Sequence, residues 1–289
     1  MICLVTGGLG FVGSNLVDEL IRQGHEVHVW DNLSSDSSSL DYKNASAAYV
    51  LDDVRTMSLK PEDHPKYDVI FHLAANARIQ PSFQMPWEYL SNDIMGTASV
   101  CELARNLGSK VVYAGSSTAF GGPMLNPYAF AKYTGEQVCE MYHKVFGLKI
   151  ATARFFNVYG PRQPKTGAWA TVIGVFENLY LQRKPMTVTG TGEQRRDFTH
   201  ISDIVAGLIT MSEIDGKGEI FSLGTGTNYS LNEVAKLFSD TIQYLPARPG
   251  EAWVTLADPK AINSATGWLA HVNLKDYVND WKLSCTVET

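Results

Sequence analysis

The stretch "ICLVTGGLGFVGSNL" sets Gly7, Gly10 and Gly13 three residues apart, just after an apolar β-rich run and at the mouth of a helical pattern. Glycine there lets the chain turn tightly from strand to helix and lets backbone N–H groups approach a bound pyrophosphate at the helix N-terminus. The helical pattern runs from about Gly10 to Gln23, with Val12, Leu16, Leu20 and Ile21 on one face. The next strand-like run ends "HVWDNLS", which places Asp31 where a carboxylate accepts hydrogen bonds from an adenosine ribose and repels a 2′-phosphate. No arginine lies between Arg22 and Arg55, so the pattern favours NAD over NADP. A glycine triplet alone would suit a ligand-free turn equally well. Strand, helix and distal acid in register argue for the dinucleotide.

The first half then alternates short β-rich runs ("EVHVW", "AYVL", "DVIFHL", "KVVYAG", "LKIATARF") with helical patterns at about 87–107 and 127–146. That alternation predicts a parallel sheet covered on both faces, a Rossmann-type doubly wound α/β fold. After about residue 157 the rhythm changes: Gly and Pro recur at turn spacing in "NVYGPRQPKTG" and "LPARPGE". Helices are expected there at about 168–181, 202–214 and 230–241. The reading is an NAD-binding domain over 1–157 and a smaller substrate-binding lobe over 158–289, some of whose strands and helices rejoin the main sheet.

With 289 residues, 45% hydrophobic and 19% charged, the chain has the composition of an ordinary globular protein. A net charge of −6 argues against a nucleic-acid partner, which needs a concentrated basic face. The four cysteines (Cys3, Cys101, Cys139 and Cys285) form no Cys-x-x-Cys pair, so neither a disulfide framework nor a metal knuckle is expected. No apolar run approaches a membrane span, and the first residues read as a strand rather than a leader. A cytoplasmic location with no membrane partner is the expectation.

Small residues end two further strands. In "FHLAANA", Leu73, Ala74 and Ala75 leave room for a flat cofactor at the strand's carboxyl end, and His72 reads as a packed strand residue. In "LDDVRT", Asp53 and Val54 are placed to border an adenine. The fifth run, "VVYAGSSTAFGG", brings Ser116 to the same edge, and "NPYAFAKYTGE" follows with Tyr128 and Lys132 one helical turn apart. Tyr-x-x-x-Lys is a cheap pattern and recurs at Tyr180 and Lys184, where no strand-end serine precedes it. Beside Ser116 it makes a hydride-transfer site: the tyrosine exchanges a proton with a hydroxyl or carbonyl, and the serine holds the same oxygen. A free phenol titrates near 10, so the expectation is that the Lys132 ammonium and a positive nicotinamide favour its phenolate.

From "TGGLGFVGS" through "PYAFAK", "RFFNVYGPR" and "RRDFTHISD" to "RPGEAWVTLAD", the chain resembles the extended short-chain dehydrogenase/reductases, and among them the nucleotide-sugar epimerases. The resemblance implies Ser116, Tyr128 and Lys132 as the catalytic set. It implies Gly7, Gly10, Phe11, Val12, Asp31 and Asn32, with the strand-end residues above and with Tyr128 and Lys132, as the NAD contacts. Ser116, Ser117, Asn157, Arg196 and Arg248 become contacts to a nucleotide sugar, a UDP-hexose first, and a homodimer through the helices at 87–107 and 127–146 is implied. The activity implied is 4-epimerisation through a 4-keto sugar. Its rivals are a reductase or decarboxylase on the same scaffold, or an NAD-binding sensor without catalysis.

The departures matter as well. Ser117 and Thr118 stand where related dehydratases carry an Asp-Glu pair, and the segment from Ser116 to Tyr128 is short. Asp93 replaces the usual Asn, and Thr189 falls where an aromatic ring often stacks on the base. Thr255, seven residues after Arg248, matches the position beside the sugar's 2-substituent. Its small side chain implies room for N-acetyl sugars beside the plain hexose pair.

Overall fold

The computed structural model describes residues 1–35 and 38–287. Six strands of the first half lie parallel: β1 (Ile2–Thr6), β2 (Glu26–Asp31), β3 (Ala48–Leu51), β4 (Val69–His72), β5 (Lys110–Ser116) and β6 (Ile150–Phe155). The strand Lys217–Leu223 joins them beyond β6, and the sheet order runs from it through β6, β5, β4, β1 and β2 to β3. The order reverses beside β1, whose neighbours are β2 and β4. In an open parallel sheet the crevice at that reversal, beyond the carboxyl ends of the strands, is where ligands bind.

Every residue of β4 and β5 is buried, as expected of central strands covered on both faces. One face packs Cys3 and Val5 against Leu16 and Leu20 of α1 (Phe11–Arg22) and Ile204 and Leu208 of the helix Ile201–Glu213. The opposite face packs Leu4 and Ile70 against Val100 and Leu103 of the helix Gly96–Leu107 and Cys139 of the helix Pro127–Phe146. The rest of the second half gathers around Tyr159, Phe176, Val188, Val234 and Phe238 as a smaller third core. Short strand pairs stitch it together, among them Met186–Thr189 with Ile242–Leu245 and Arg195–Asp197 with Asn228–Ser230. The second half is therefore divided between the main sheet and the lobe. The exposed edge of β6 takes the strand Lys217–Leu223, and the apolar stripe of the helix Ile201–Glu213 covers the sheet face beside α1.

Two helices position the site. The helix carrying Tyr128 begins where Asn126 Oδ1 accepts the N–H of Ala129 at 2.7 Å with Pro127 in its first turn. It ends where Gly147 adopts φ 68°. The chain from Pro86 to Leu107 is helical throughout, with a wide π-helical turn at Leu90–Met95 that turns Asp93 inward. Among the described residues no helix is long and apolar enough to cross a membrane.

Candidate active site

A cleft of about 390 Å³ opens along the carboxyl edge of β1, β2, β4 and β5 and is walled on its far side by the smaller lobe. At its floor the glycine turn is a close-fitted cradle. Gly7 has φ 71°, and a Cβ there would lie 2.8 Å from the backbone nitrogen of Ala74. A Cβ on Gly13 would lie 2.1 Å from the Gly7 carbonyl oxygen. No larger residue fits either place, because the turn packs directly on the Ala74 backbone and on itself, and its glycines line the cleft at the N-terminus of α1, where a pyrophosphate would bind. Gly7, Gly10, Phe11 and Val12 all line the cleft.

Asp31 lies at the end of β2, buried, its two oxygens accepting the N–H groups of Leu9 (3.0 Å) and Leu33 (2.8 Å). Burial pushes its carboxyl above the ordinary value, and those two hydrogen bonds pull it back. Asn32, Val54, Leu73, Ala74 and Ala75 line the same end. Asp53 does not: it is turned into a short helical turn, where it accepts the Arg55 N–H and pairs with the Arg55 guanidinium at 2.6 Å. Asp52, its neighbour, faces the cleft instead. These features together (open glycine cradle, buried acid at the second strand, small residues at the fourth) fit a dinucleotide.

Ser116, Tyr128 and Lys132 come together at the middle of the cleft. The Tyr128 hydroxyl donates to Ser116 Oγ at 3.3 Å, and the Thr118 hydroxyl donates to the same oxygen at 3.0 Å. Burial raises the Tyr128 phenol above its ordinary value; the Ser116 hydrogen bond and the Arg78 guanidinium lower it, and Asp93 raises it. The cation pulling on the phenol is thus Arg78, which the sequence reading did not single out. Lys132 is buried with its ammonium 4.8 Å from the centre of the Tyr113 ring, and burial lowers its pKa against the pull of Asp93 and Glu136.

Asp93 lies behind this group. One oxygen accepts the Asn76 N–H at 2.7 Å and the Asn92 amide at 3.0 Å; the other is buried without a partner. Burial raises its carboxyl to about 6. His72 is packed between the hydroxyls of Thr6 (2.8 Å) and Thr97 (3.1 Å), and burial drives it down to about 3. It is a neutral structural residue.

The smaller lobe presents Asn157, Arg196 and Arg248 to the cleft. Asn157, at φ 31°, donates to the Asp197 carbonyl at 2.8 Å. Arg196 is nearly buried and is held by the carbonyls of Arg195 and Trp253 and by Glu251 at 3.5 Å. The segment of the exposed Arg248 is tied down by Gln80, which donates to the Pro249 carbonyl, and by Asn126, which donates to the Gly250 carbonyl, both at 3.0 Å. Ser117 also lines the cleft, whereas Thr255 does not: it is packed between Arg195 and Asp197 with its hydroxyl 3.4 Å from the Asn157 amide. Thr189 bonds Gln194 and is likewise set back; Phe155, Trp169 and Phe198 are among the aromatic side chains that line the cleft, with Phe11, Trp30 and Tyr128. Among the described residues no group of three His, Cys, Asp or Glu side chains is arranged to hold a metal ion.

The chain is similar to several known proteins. A putative UDP-glucose 4-epimerase of Methanocaldococcus jannaschii is 31% identical over 94% of this chain and 94% of its own. The structure of a UDP-glucose 4-epimerase with UDP-glucose from Thermotoga maritima superposes with a TM-score of 0.90 at 29% identity, covering 96% of each chain. A UDP-glucuronic acid 4-epimerase from Bacillus cereus, solved with UDP-glucuronic acid and NAD, superposes at 0.85 with 28% identity over 96% of this chain and 97% of that one. Proteins named as decarboxylases also match. The family model described as "NAD dependent epimerase/dehydratase family" matches residues 3–224, more than half of the sequence, and the chain belongs to that family.

Proposed function

We propose that this enzyme catalyses the 4-epimerisation of a nucleotide-activated hexose, with UDP-glucose and UDP-galactose as the first pair to test and their N-acetyl forms beside them. The observation that carries the reading is the Tyr128 hydroxyl 3.3 Å from Ser116 Oγ, at the strand edge that faces the glycine cradle. Those two oxygens converge on one point, where a sugar hydroxyl would meet a proton acceptor and a second hydrogen-bond partner together.

NAD is the family's cofactor; when bound, it supplies the hydride acceptor and donor for the sugar's carbon 4. The chain's own residues do the rest. The cradle from Gly7 to Gly13 holds the pyrophosphate through backbone N–H groups, and Asp31 accepts from the adenosine ribose. Tyr128 removes the proton of the 4-hydroxyl and returns it after the 4-keto sugar has turned over. Ser116 holds the same oxygen, and Lys132 keeps positive charge beneath the site. Arg196 and Arg248 bind the diphosphate, since a planar guanidinium takes phosphate oxygens in pairs. Asn157, not Thr255, borders the sugar on this wall; Thr255 stands behind it with its hydroxyl 3.4 Å from the Asn157 amide.

A dehydratase is disfavoured by Ser117 and Thr118, which offer hydroxyls where elimination needs an acid. A decarboxylase or reductase on the same scaffold is the alternative, and a non-catalytic NAD-binding sensor has no use for the Ser116–Tyr128 pair. Incubating the protein with UDP-, GDP- and dTDP-sugars without added cofactor, and following products by NMR, tests the reading. A new 4-epimer is the expected result. Loss of carbon dioxide or binding without turnover would each replace it, as would stoichiometric use of NADH in a parallel incubation that supplies it. We also place a homodimer contact along the helices Gly96–Leu107 and Pro127–Phe146, the second of which exposes Met141, Val145 and Phe146; sedimentation at two concentrations tests it.

A further inference from the structure

Arg78 stands in the loop after β4 at φ 84° and ψ 140°, a conformation that side-chain-bearing residues adopt only under strain. Its Nε donates to the Trp169 carbonyl at 2.8 Å, which fixes the head of the side chain across the cleft. Among the described residues its two terminal nitrogens have no hydrogen-bond partner and no carboxylate in ion-pair reach. The titratable groups whose charge bears on it are the phenols of Tyr128 and Tyr89. A partly buried guanidinium that lines the cleft without a counter-ion lacks a charge partner, and an anion delivered by the ligand would supply one.

Where that anion sits follows from the site, and here the argument rests on the epimerase reading above. Tyr128 and Ser116 fix the oxygen on the sugar's carbon 4. A group beside Tyr128 therefore meets substituents on the flanking carbons, 3 and 5. The diphosphate leaves from carbon 1, across the ring, toward Arg196 and Arg248 of the other wall. A neutral hydroxymethyl on carbon 5 offers the guanidinium a single acceptor and no charge. A carboxylate there offers two oxygens in the fork geometry that arginine binds best. We propose that Arg78 is a specificity residue that recognises the carboxylate of a nucleotide hexuronate, so that the substrate class includes uronic-acid sugars.

The test is calorimetric binding of UDP-glucuronate and UDP-glucose to NAD-loaded wild type, Arg78→Met, Arg78→Lys and Arg78→Gly, with NMR detection of 4-epimers. Arg78→Gly also relaxes the backbone and so guards against a folding defect. The expected result is a 30- to 100-fold loss of UDP-glucuronate affinity in Arg78→Met and Arg78→Gly, partial recovery in Arg78→Lys, and UDP-glucose affinity within about threefold throughout. Equal losses for both ligands would assign Arg78 to a phosphate and overturn the proposal. Unchanged binding with an alkaline shift of the rate profile would assign it to Tyr128 alone, with the same consequence. A wild type that epimerises UDP-glucose but does not bind UDP-glucuronate sinks this inference and leaves the epimerase reading standing. Arg78-dependent binding of UDP-glucuronate without any 4-epimer does the reverse.

Discussion

The Tyr128 hydroxyl donates to Ser116 Oγ at 3.3 Å, joining the first turn of one helix to the end of the strand before it. Tyr128→Phe removes the proton acceptor and keeps the ring packed edge-on against Tyr89 at 6.2 Å. Turnover should fall at least about a hundredfold, the scale of a general base, while folding and NAD binding persist. Near-normal turnover in the variant would take Tyr128 out of the chemistry.

Asp93 makes stability depend on pH. Its carboxyl titrates at about 6 in the folded protein because burial penalises the charge, against an ordinary 3.8. Between about pH 4 and pH 6 the folded state keeps a proton that the unfolded chain has released. Stability therefore falls as pH rises through that window and stays lower above it. Asn in its place still accepts the Asn76 N–H and carries no charge. Asp93→Asn should be more stable than wild type at pH 8 by on the order of 3 kcal/mol, with the gain gone at pH 4. Urea midpoints at the two pH values decide it; an equal gain at both would exclude the titration.

How much of this was readable beforehand depends on how local the cause is. The helix Pro127–Phe146 matches its expected limits because Asn126, Pro127 and Gly147 mark both ends within the sequence itself. The joining of the strand Lys217–Leu223 to β6 is a pairing across more than sixty residues, which periodicity does not carry. Asp52 and Asp53 are alike in sequence; the Arg55 side chain decides which of them turns away from the cleft. Arg78 had one weak signal, a cation just after the small residues of "LAANAR", but its positive φ and its bond to Trp169 exist only in the fold. The Lys132 ammonium was expected to act on Tyr128, yet one helical turn brings it over the Tyr113 ring of the sheet below.

Cofactor preference should follow Asp31. Asp31→Asn keeps one acceptor for the loop N–H groups of Leu9 and Leu33 and removes the charge that opposes a 2′-phosphate. The ratio of NADP to NAD dissociation constants should shrink at least about tenfold, which is about 1.4 kcal/mol of discrimination. An unchanged ratio would mean that Asp31 serves the turn and not the ribose.

Asn126 links the helix of the base to the wall that holds the diphosphate. Its Oδ1 caps the helix through the Ala129 N–H at 2.7 Å, and its Nδ2 donates to the Gly250 carbonyl at 3.0 Å. The two halves of one amide can be separated by substitution. Asn126→Asp keeps the cap, because a carboxylate accepts the same N–H and suits a helix N-terminus. It loses the donor, and its charge repels the Gly250 carbonyl, so the segment bearing Arg248 is released. Asn126→Ala loses both contacts. Thermal unfolding should thus show Asn126→Ala less stable by about 1 kcal/mol, with Asn126→Asp close to wild type. Steady-state kinetics should show KM for the nucleotide sugar raised severalfold in both variants, with kcat changed much less, since the tether acts on ground-state and transition-state binding alike. If Asn126→Asp kept the wild-type KM, the Gly250 contact would have no part in holding Arg248 over the cleft.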